Sequence, residues 1–184
     1  SWAQSSSTSL MLAGEYRPGQ HAALHLPDYW VSEKLDGVRA RWYGRQLISR
    51  GGHPIAAPAW FTQGWPATAL DGELWGGRGR FEATAGVAAR VEPDEAAWKT
   101  LRFMVFDLPG HGGSFSERVA AMQEMQTRRV SPFLQMIEQR RGSTEVGLQQ
   151  QLDQTVQAGG EGLMLHRGGA LYQAGRSGDL LKFK

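Results

Sequence analysis

The sequence contains no cysteine, and this absence excludes several kinds of protein. Disulfide scaffolds, cysteine-ligated zinc sites, iron–sulfur clusters and cysteine nucleophiles all require that residue. Apolar runs are only a few residues long, so no stretch resembles a membrane span of about 20 residues. With 184 residues, 41% hydrophobic content and a mean hydropathy of −0.41, the chain is predicted to form one soluble globular domain.

The chain also has little net charge. A formal charge of +2 is too small to indicate a polyanionic partner. The basic residues are nevertheless clustered. Residues 34–50 contain five basic side chains and one acidic, and residues 166–184 contain four basic and one acidic. Two such clusters could converge on one phosphate-rich ligand, or they could form two separate solvated faces.

An initiator methionine is missing as well, and the first nine residues are rich in serine. Ser1-Trp2-Ala3 places small residues where the end of an exported leader has them. We therefore predict a flexible tail over residues 1–13, a domain over residues 14–184, and a periplasmic location. The alternatives are an artificial N-terminus and a cytoplasmic protein.

Strand and helix patterns follow one another without a regular βαβ order, which favours the α+β class. Residues 38–42 alternate with a period of two and predict a half-buried strand. Further strands are predicted over residues 69–75, 101–106, 162–166 and 180–183. Helices are predicted over residues 82–90, 117–129 with Ser116 as N-cap, 131–141 with Pro132 in the first turn, and 144–158.

The first candidate motif is Lys34-Leu35-Asp36-Gly37-Val38-Arg39. An amine nucleophile beside a glycine that permits close backbone approach, followed by an arginine, suits attack on a phosphate. A lysine amine must lose its proton before it attacks, and neighbouring cations favour the neutral form. An ordinary surface turn is the alternative.

The second motif is Asp71-Gly72-Glu73. On a strand these two carboxylates share a face, and they repel each other unless a cation lies between them. The pattern therefore suggests a Mg²⁺ or ribose-hydroxyl site. A β-turn with a solvated glutamate explains it equally simply.

Three further candidates lie on predicted strands. Glu161 stands at the mouth of an apolar strand, and Phe106 at the end of another could stack on a purine or belong to the core. Lys182 and Lys184 share one strand face, where two ammonium groups call for an anion such as phosphate. A solvated C-terminus is the alternative for the two lysines.

In order, the motifs are Lys-x-Asp-Gly-x-Arg, Ser-Arg-Gly, Asp-Gly-Glu, Phe-Asp, Glu-Gly and Lys-x-Lys. From about Leu12 to Lys184 the sequence resembles the covalent nucleotidyltransferases. It is most similar to the adenylation domain of small bacterial ATP-dependent DNA ligases. The resemblance implies an α+β fold of antiparallel sheets flanked by helices, with ATP in a cleft between the sheets.

The resemblance also implies roles for particular residues. Lys34 would become covalently bonded to AMP, Phe106 would stack on adenine, and Arg39 and Arg50 would contact the nucleotide and the phosphate of a nick. The other positions implied are Ser32 at the nucleotide, Glu73 and Glu161 at the metal with Glu73 also near the ribose, and Lys182 and Lys184 at the α-phosphate. Asp36 and Asp71 lie inside motifs without a firm role.

The implied function is ATP-dependent sealing of nicked double-stranded DNA, with ATP and Mg²⁺ as cofactors, by a monomer that needs no membrane. Arg78, Arg80 and Phe81, in a glycine-rich loop, would touch the DNA backbone or have no role. An RNA ligase, a capping guanylyltransferase and a non-catalytic nucleic-acid-binding module are the alternatives. Because family ligases continue beyond Lys-x-Lys, an OB-fold domain is expected downstream. Without it, residues 1–184 should hold adenylate but self-adenylate slowly and seal nicks poorly.

Overall fold

A computed structural model describes residues 10–19 and 24–184 and contains two five-stranded sheets. The strands are β1 (Met11–Glu15), β2 (Tyr29–Lys34), β3 (Val38–Trp42), β4 (Leu47–Ser49), β5 (Leu70–Trp75), β6 (Arg102–Asp107), β7 (Leu134–Met136), β8 (Arg140–Arg141), β9 (Gly162–Arg167) and β10 (Gly175–Phe183). The helices are α1 (Ala59–Thr62), α2 (Phe81–Ala89), α3 (Glu95–Trp98), α4 (Phe115–Arg128) and α5 (Glu145–Gln157), and a 3₁₀ turn (Leu26–Asp28) precedes β2.

Sheet A has the strand order β1-β10-β9-β2-β8, and sheet B has the order β4-β3-β5-β6-β7. Pairing is antiparallel except between β1 and β10 and between β6 and β7. The chain passes from β2 in sheet A to β3 in sheet B through three residues, 35–37. That short connection holds the end of β2, at Lys34, close to the start of β3. The predicted α+β class with two sheets flanked by helices is confirmed.

The larger hydrophobic core lies against sheet B. The alternation in β3 buries Ala40 and Trp42 in this core, as the period of two predicts. Helix α4 contributes apolar side chains at helical spacing: Phe115, Val119, Met122 and Met125. A smaller core lies against sheet A and receives Leu148 and Leu152 from α5. Both cores thus anchor the strands whose ends carry the sequence motifs.

The predicted helix over residues 131–141 is wrong, because this segment forms β7 and β8. Leu134 and Met136 are buried while Gln135 between them is exposed, which is a period of two. Backbone bonds to β6 extend the pairing, since the Phe103 N–H donates to the Phe133 carbonyl and the Ile137 N–H donates to the Val105 carbonyl. Pairing with a strand thirty residues earlier therefore overrides the local helical signal.

Two other expectations need correction. Helix α4 is capped by Ser114, whose hydroxyl accepts from the Glu117 N–H in a capping box, whereas the hydroxyl of Ser116 accepts from Trp30 Nε1. Residues 11–13 of the predicted tail belong to β1, which pairs with β10 and buries Met11. The remaining tail prediction, over residues 1–9, lies outside the described residues.

Candidate active site

A cleft of about 210 Å³ lies between the two sheets. Sheet A contributes residues of β1, β2, β9 and β10, and sheet B contributes residues of β3, β5 and β6. The lining residues are Leu12, Ala13, Ser32, Glu33, Lys34, Leu35, Arg39, Arg50, Glu73, Phe106, Ile137, Gln139, Met164, His166, Arg176, Leu180 and Lys182. Six of the sequence-predicted residues border the cleft together with Lys34, and they come from both halves of the chain.

Lys34 ends β2 directly opposite Gly162 of β9, so the residue before Gly162 lies beside its ammonium group. Glu161 Oε1 is 2.8 Å from Lys34 Nζ and 3.6 Å from Lys184 Nζ. The fold therefore gathers two cations around one carboxylate at the mouth of the cleft. Lys34 and Lys184 thus share the same carboxylate oxygen.

Arg39 is held on the opposite wall by a bidentate ion pair. Its Nε and Nη2 donate to Asp71 Oδ1 and Oδ2, each at 2.8 Å, and its guanidinium lies 4.8 Å from the centroid of the Phe106 ring. Burial disfavours the charge of Arg39, but the adjacent Asp71 outweighs this and raises the pKa of the guanidinium. Both oxygens of Asp71 are thereby paired with Arg39, whose positive charge also acts on Glu73.

Glu73 differs from Asp71 because no partner neutralises it so closely. Burial raises its pKa from about 4.5 to about 7, although the positive charges of Arg39 and Lys34 act in the opposite direction. The carboxylate of Glu161 nearby adds to the rise. The carboxyl group of Glu73 therefore titrates near neutrality, and a cation placed between the two glutamates would favour its charged form.

This shift predicts a pH-dependent effect of Glu73→Gln on stability. The folded chain binds a proton at Glu73 more tightly than the unfolded chain does, so this contribution to stability is present below pH 4.5 and is lost as the pH rises through 7. Glutamine does not titrate. The free energy of unfolding of the variant relative to the parent should therefore rise by about 2–3 kcal/mol between pH 4 and pH 8.

Denaturant unfolding at several pH values measures this difference. Glu92→Gln, at an exposed glutamate, is the matched control and should show no such trend. A constant difference between Glu73→Gln and the parent across the pH range would contradict the argument.

The glycine-rich loop after β5 is attached to the residues that flank Lys34. Asp36 accepts from Trp75 Nε1 at 3.2 Å and from the Gly79 N–H at 2.9 Å. Arg78 donates to both carboxylate oxygens of Glu33, at 3.1 and 2.6 Å, and to the Ala158 carbonyl. Asp36 thus has a structural role, and Arg78, which was predicted to touch DNA, is committed to protein partners.

The other residues predicted to contact DNA are accessible. Arg80 and Arg50 are exposed, and Phe81 exposes 49% of its surface. Arg50 borders both the cleft and a second groove that Phe81 lines. A polyanion lying across this surface would therefore meet Arg50 at the edge of the cleft.

The cleft residues to which the sequence analysis assigned no role include Met164, His166, Arg176 and Gln139. Met164 and His166 were visible as alternate residues of one strand, and Arg176 belongs to the second basic cluster. Burial, aided by the charges of Arg118 and Arg167, lowers the pKa of His166 to about 3, so its imidazole is neutral. Nothing in the sequence indicated that Gln139 lies at the cleft, because residues 131–141 were predicted to form a helix.

The residues present fit a nucleotide and a divalent cation. The walls offer the Phe106 ring and Met164 to a base, and Lys34, Lys182 and Arg176 to phosphates. Within residues 10–19 and 24–184, no three His, Asp or Glu side chains form a metal cluster. Mg²⁺ ordinarily takes one or two carboxylates together with substrate phosphates, so Glu73 and Glu161 would be enough protein ligands.

Among the helices of residues 10–19 and 24–184, none has both the length and the apolar composition that a membrane-spanning helix requires.

Comparison with known proteins gives consistent results. The model of the ATP-dependent DNA ligase domain matches residues 10–184. A DNA ligase of Haemophilus influenzae is 36% identical over 156 residues, which cover 84% of this chain and 58% of that protein. A structure from an analysis of DNA binding by Lig E DNA ligases shows 42% identity and a TM-score of 0.86, covering 95% of this chain and 68% of that one.

A more distant structure shares the fold. The Chlorella virus DNA ligase–adenylate has 21% identity and a TM-score of 0.79, over 96% of this chain and 69% of that chain. The chain thus spans a little under three fifths of the curated relative from Haemophilus influenzae. Since the family model covers nearly every residue and the relatives agree with it, the chain belongs to the ATP-dependent DNA ligase domain family.

Proposed function

We propose that this chain carries out the nucleotidyl-transfer chemistry of an ATP-dependent DNA ligase, with Lys34 as the nucleophile. The observation that carries the proposal is the position of Lys34, at the mouth of a cleft between two sheets and 2.8 Å from Glu161. Cations, a stacking ring and two carboxylates converge on the same cleft from both sheets. AMP would pass from ATP to Lys34, and then to the 5′-phosphate at a nick in double-stranded DNA.

In the first step, the neutral Nζ of Lys34 attacks the α-phosphorus of ATP. A nitrogen–phosphorus bond forms, the bond between the α-phosphorus and its bridging oxygen breaks, and pyrophosphate leaves. Lys182 and Lys184 stabilise the negative charge on the α-phosphate oxygens. Mg²⁺, held by Glu73 and Glu161, would supply Lewis-acid charge stabilisation. The proton of the Lys34 amine leaves to solvent.

The strand ladder gives a scale for the nucleotide. One strand residue spans about 3.3 Å, so Ser32 lies about 7 Å along β2 from Lys34. Ser32 is paired with Met164, and Phe106 borders the cleft from the other sheet. An adenosine whose phosphate lies at Lys34 would therefore place its base between Phe106 and Met164. The neighbouring Gln139 Oε1 and His166 Nε2 have no partner within the described residues, which leaves polar groups for the far edge of the base.

In the later steps, a 5′-phosphate oxygen attacks the phosphorus of the lysyl adduct and releases Lys34. The 3′-hydroxyl then attacks the activated 5′-phosphate and AMP leaves. Arg50, Phe81 and Arg176 are exposed residues that line the cleft or its neighbouring groove and would meet the duplex, together with the exposed Arg80 next to Phe81. Nick sealing of this kind would serve DNA repair, and the periplasmic location remains part of this proposal.

Intact-mass measurement tests the first step. Incubation with ATP and Mg²⁺ should add one AMP to the protein, and incubation with GTP should add nothing. Transfer of the AMP from the protein to nicked DNA but not to nicked RNA would distinguish a DNA ligase from an RNA ligase. An adduct with GTP would indicate a capping enzyme, and the absence of any adduct would favour a non-catalytic binding module.

A further inference from the structure

Tyr172 belongs to none of the motifs, yet its hydroxyl is bonded into the wall of the active site. Tyr172 Oη donates to Asp71 Oδ2 at 2.6 Å and accepts from the Met11 N–H at 3.1 Å. Asp71 has no exposed surface. Burial, together with the negative charge of Asp71, raises the pKa of Tyr172, so that the hydroxyl stays protonated and able to donate.

These contacts close a ring that passes through Arg39. Arg39 donates to both oxygens of Asp71, and its Nη2 also donates to the Met11 carbonyl at 3.0 Å. Met11 therefore donates its N–H to Tyr172 and accepts from Arg39 through its carbonyl. The ring joins strand β1 of sheet A to β3 and β5 of sheet B, across the cleft between the sheets.

Arg39 is the member of the ring that faces the cleft. Its guanidinium lies over the Phe106 ring, and its charge acts on Glu73. A charged hydrogen-bond donor is useful in transfer of a phosphoryl group only where its direction is fixed. Tyr172 and the Met11 backbone provide two of the contacts that fix the direction of Arg39 and Asp71.

We propose that Tyr172 is a positioning residue for nucleotidyl transfer: through Asp71 and the backbone of Met11, its hydroxyl holds Arg39 in the orientation that the reaction uses. The edge strand β1, predicted to be partly a flexible tail, thereby takes part in the active site. The inference rests on the proposed function for its effect on rate, whereas the ordering of Arg39 is independent of that function.

Tyr172→Phe is the primary test. Phenylalanine keeps the aromatic ring, whose centroid lies 5.3 Å from the Arg41 guanidinium, and removes only the hydroxyl. The rate constant for lysyl-AMP formation at saturating ATP should fall about tenfold, because a displacement well below 1 Å already lowers such rates. Tyr29→Phe is the matched control, since Tyr29 is also buried and its hydroxyl donates to the Gly178 carbonyl, outside the ring of hydrogen bonds around Arg39. The control should keep the parent rate.

A double-mutant cycle identifies the route of the effect. If Tyr172 acts through Arg39, Tyr172→Phe should change the rate little in an Arg39→Lys background, where the bidentate fork is already lost. A merely structural hydroxyl would instead lower the rate by the same factor in both backgrounds. Equal factors, or an unchanged rate in the single variant, would overturn the proposal.

Nuclear magnetic resonance of the Arg39 Nε–H group provides a readout that needs no activity. The signal should be protected from solvent exchange in the parent and in Tyr29→Phe, and should exchange faster in Tyr172→Phe. Unchanged protection in Tyr172→Phe would also overturn the proposal. If the parent forms no lysyl-AMP, the proposed function fails, while this measurement still decides whether Tyr172 orders Arg39.

Discussion

Lys34→Arg should lower covalent attachment of AMP by at least about a thousandfold, the scale seen when a nucleophile is lost. Arginine keeps a positive charge within reach of Glu161, so the ion pair at the mouth of the cleft survives. Its guanidinium stays protonated and cannot attack phosphorus. Intact mass after incubation with ATP and Mg²⁺ measures the loss, and nucleotide binding without reaction should remain detectable by equilibrium dialysis.

The sequence offers a convenient control because it contains few lysines, at positions 34, 99, 182 and 184. Lys99 is exposed just after α3, outside the cleft, and Lys99→Arg should form the adduct at the parent rate. An adduct that persists in Lys34→Arg and maps by peptide mass to Lys182 or Lys184 would show that the nucleophile has been assigned incorrectly.

Arg118→Met should destabilise the fold by about 3–5 kcal/mol, because it leaves a buried carboxylate without its partner. Arg118 has no exposed surface, and its Nε lies 2.6 Å from Asp107 Oδ1. Nη1 also donates to the carbonyls of Gly113 and Ala170. Burial raises the pKa of Asp107 despite the opposing effect of Arg118. Denaturant unfolding at pH 7 measures the loss.

The same helix supplies the control for this prediction. Arg128 forms an exposed pair with Glu124, and Arg128→Met should cost less than about 1 kcal/mol. A second variant tests the cause: Asp107→Asn added to Arg118→Met should recover part of the loss, since the unpaired charge disappears. A cost for Arg118→Met as small as that for Arg128→Met would show that the buried pair contributes little.

This ion pair also bears on the cleft. Asp107 follows Phe106, and Arg118 connects it to the turn at Ala170 between β9 and β10. The ion pair thereby connects β6, which carries Phe106, to the turn between β9 and β10. Strand β9 begins at Gly162, next to Glu161, and β10 carries Lys182. Asp107 belongs to the Phe-Asp motif, but its pairing with Arg118 was not predicted, because the two residues are eleven positions apart and nothing local marks their contact.

Local spacing identified several residues that border the cleft as candidates, and the family resemblance supplied their roles. Lys34 and Arg39 flank one glycine turn, and Glu73 and Lys182 sit on strands whose alternation was visible. Each depends on a few consecutive residues, and the period of a strand places side chains on a face without further information. The α+β class followed for the same reason, from apolar periodicity along the chain.

Contacts between distant residues were beyond the reach of spacing. The strand pairing of residues 134–136 with β6, the pairing of Arg78 with Glu33, and the contact of Tyr172 with Asp71 join positions 31 to 101 residues apart. A short apolar run is compatible with a helix or a strand until a neighbour pairs with it. Sequence motifs likewise do not show which carboxylate forms an ion pair with an arginine.

The sequence by itself determined the nucleophile candidate, the order of the charged motifs and the fold class, because these are properties of neighbouring residues. Only the tertiary structure decided that Asp71 is paired with Arg39, whereas Glu73, buried in the cleft, has a raised pKa. The physical reason is that burial and ion pairing depend on distance in space. The packing of two sheets brings β1, β3, β5 and Tyr172 together, and no pattern in consecutive residues predicts these contacts.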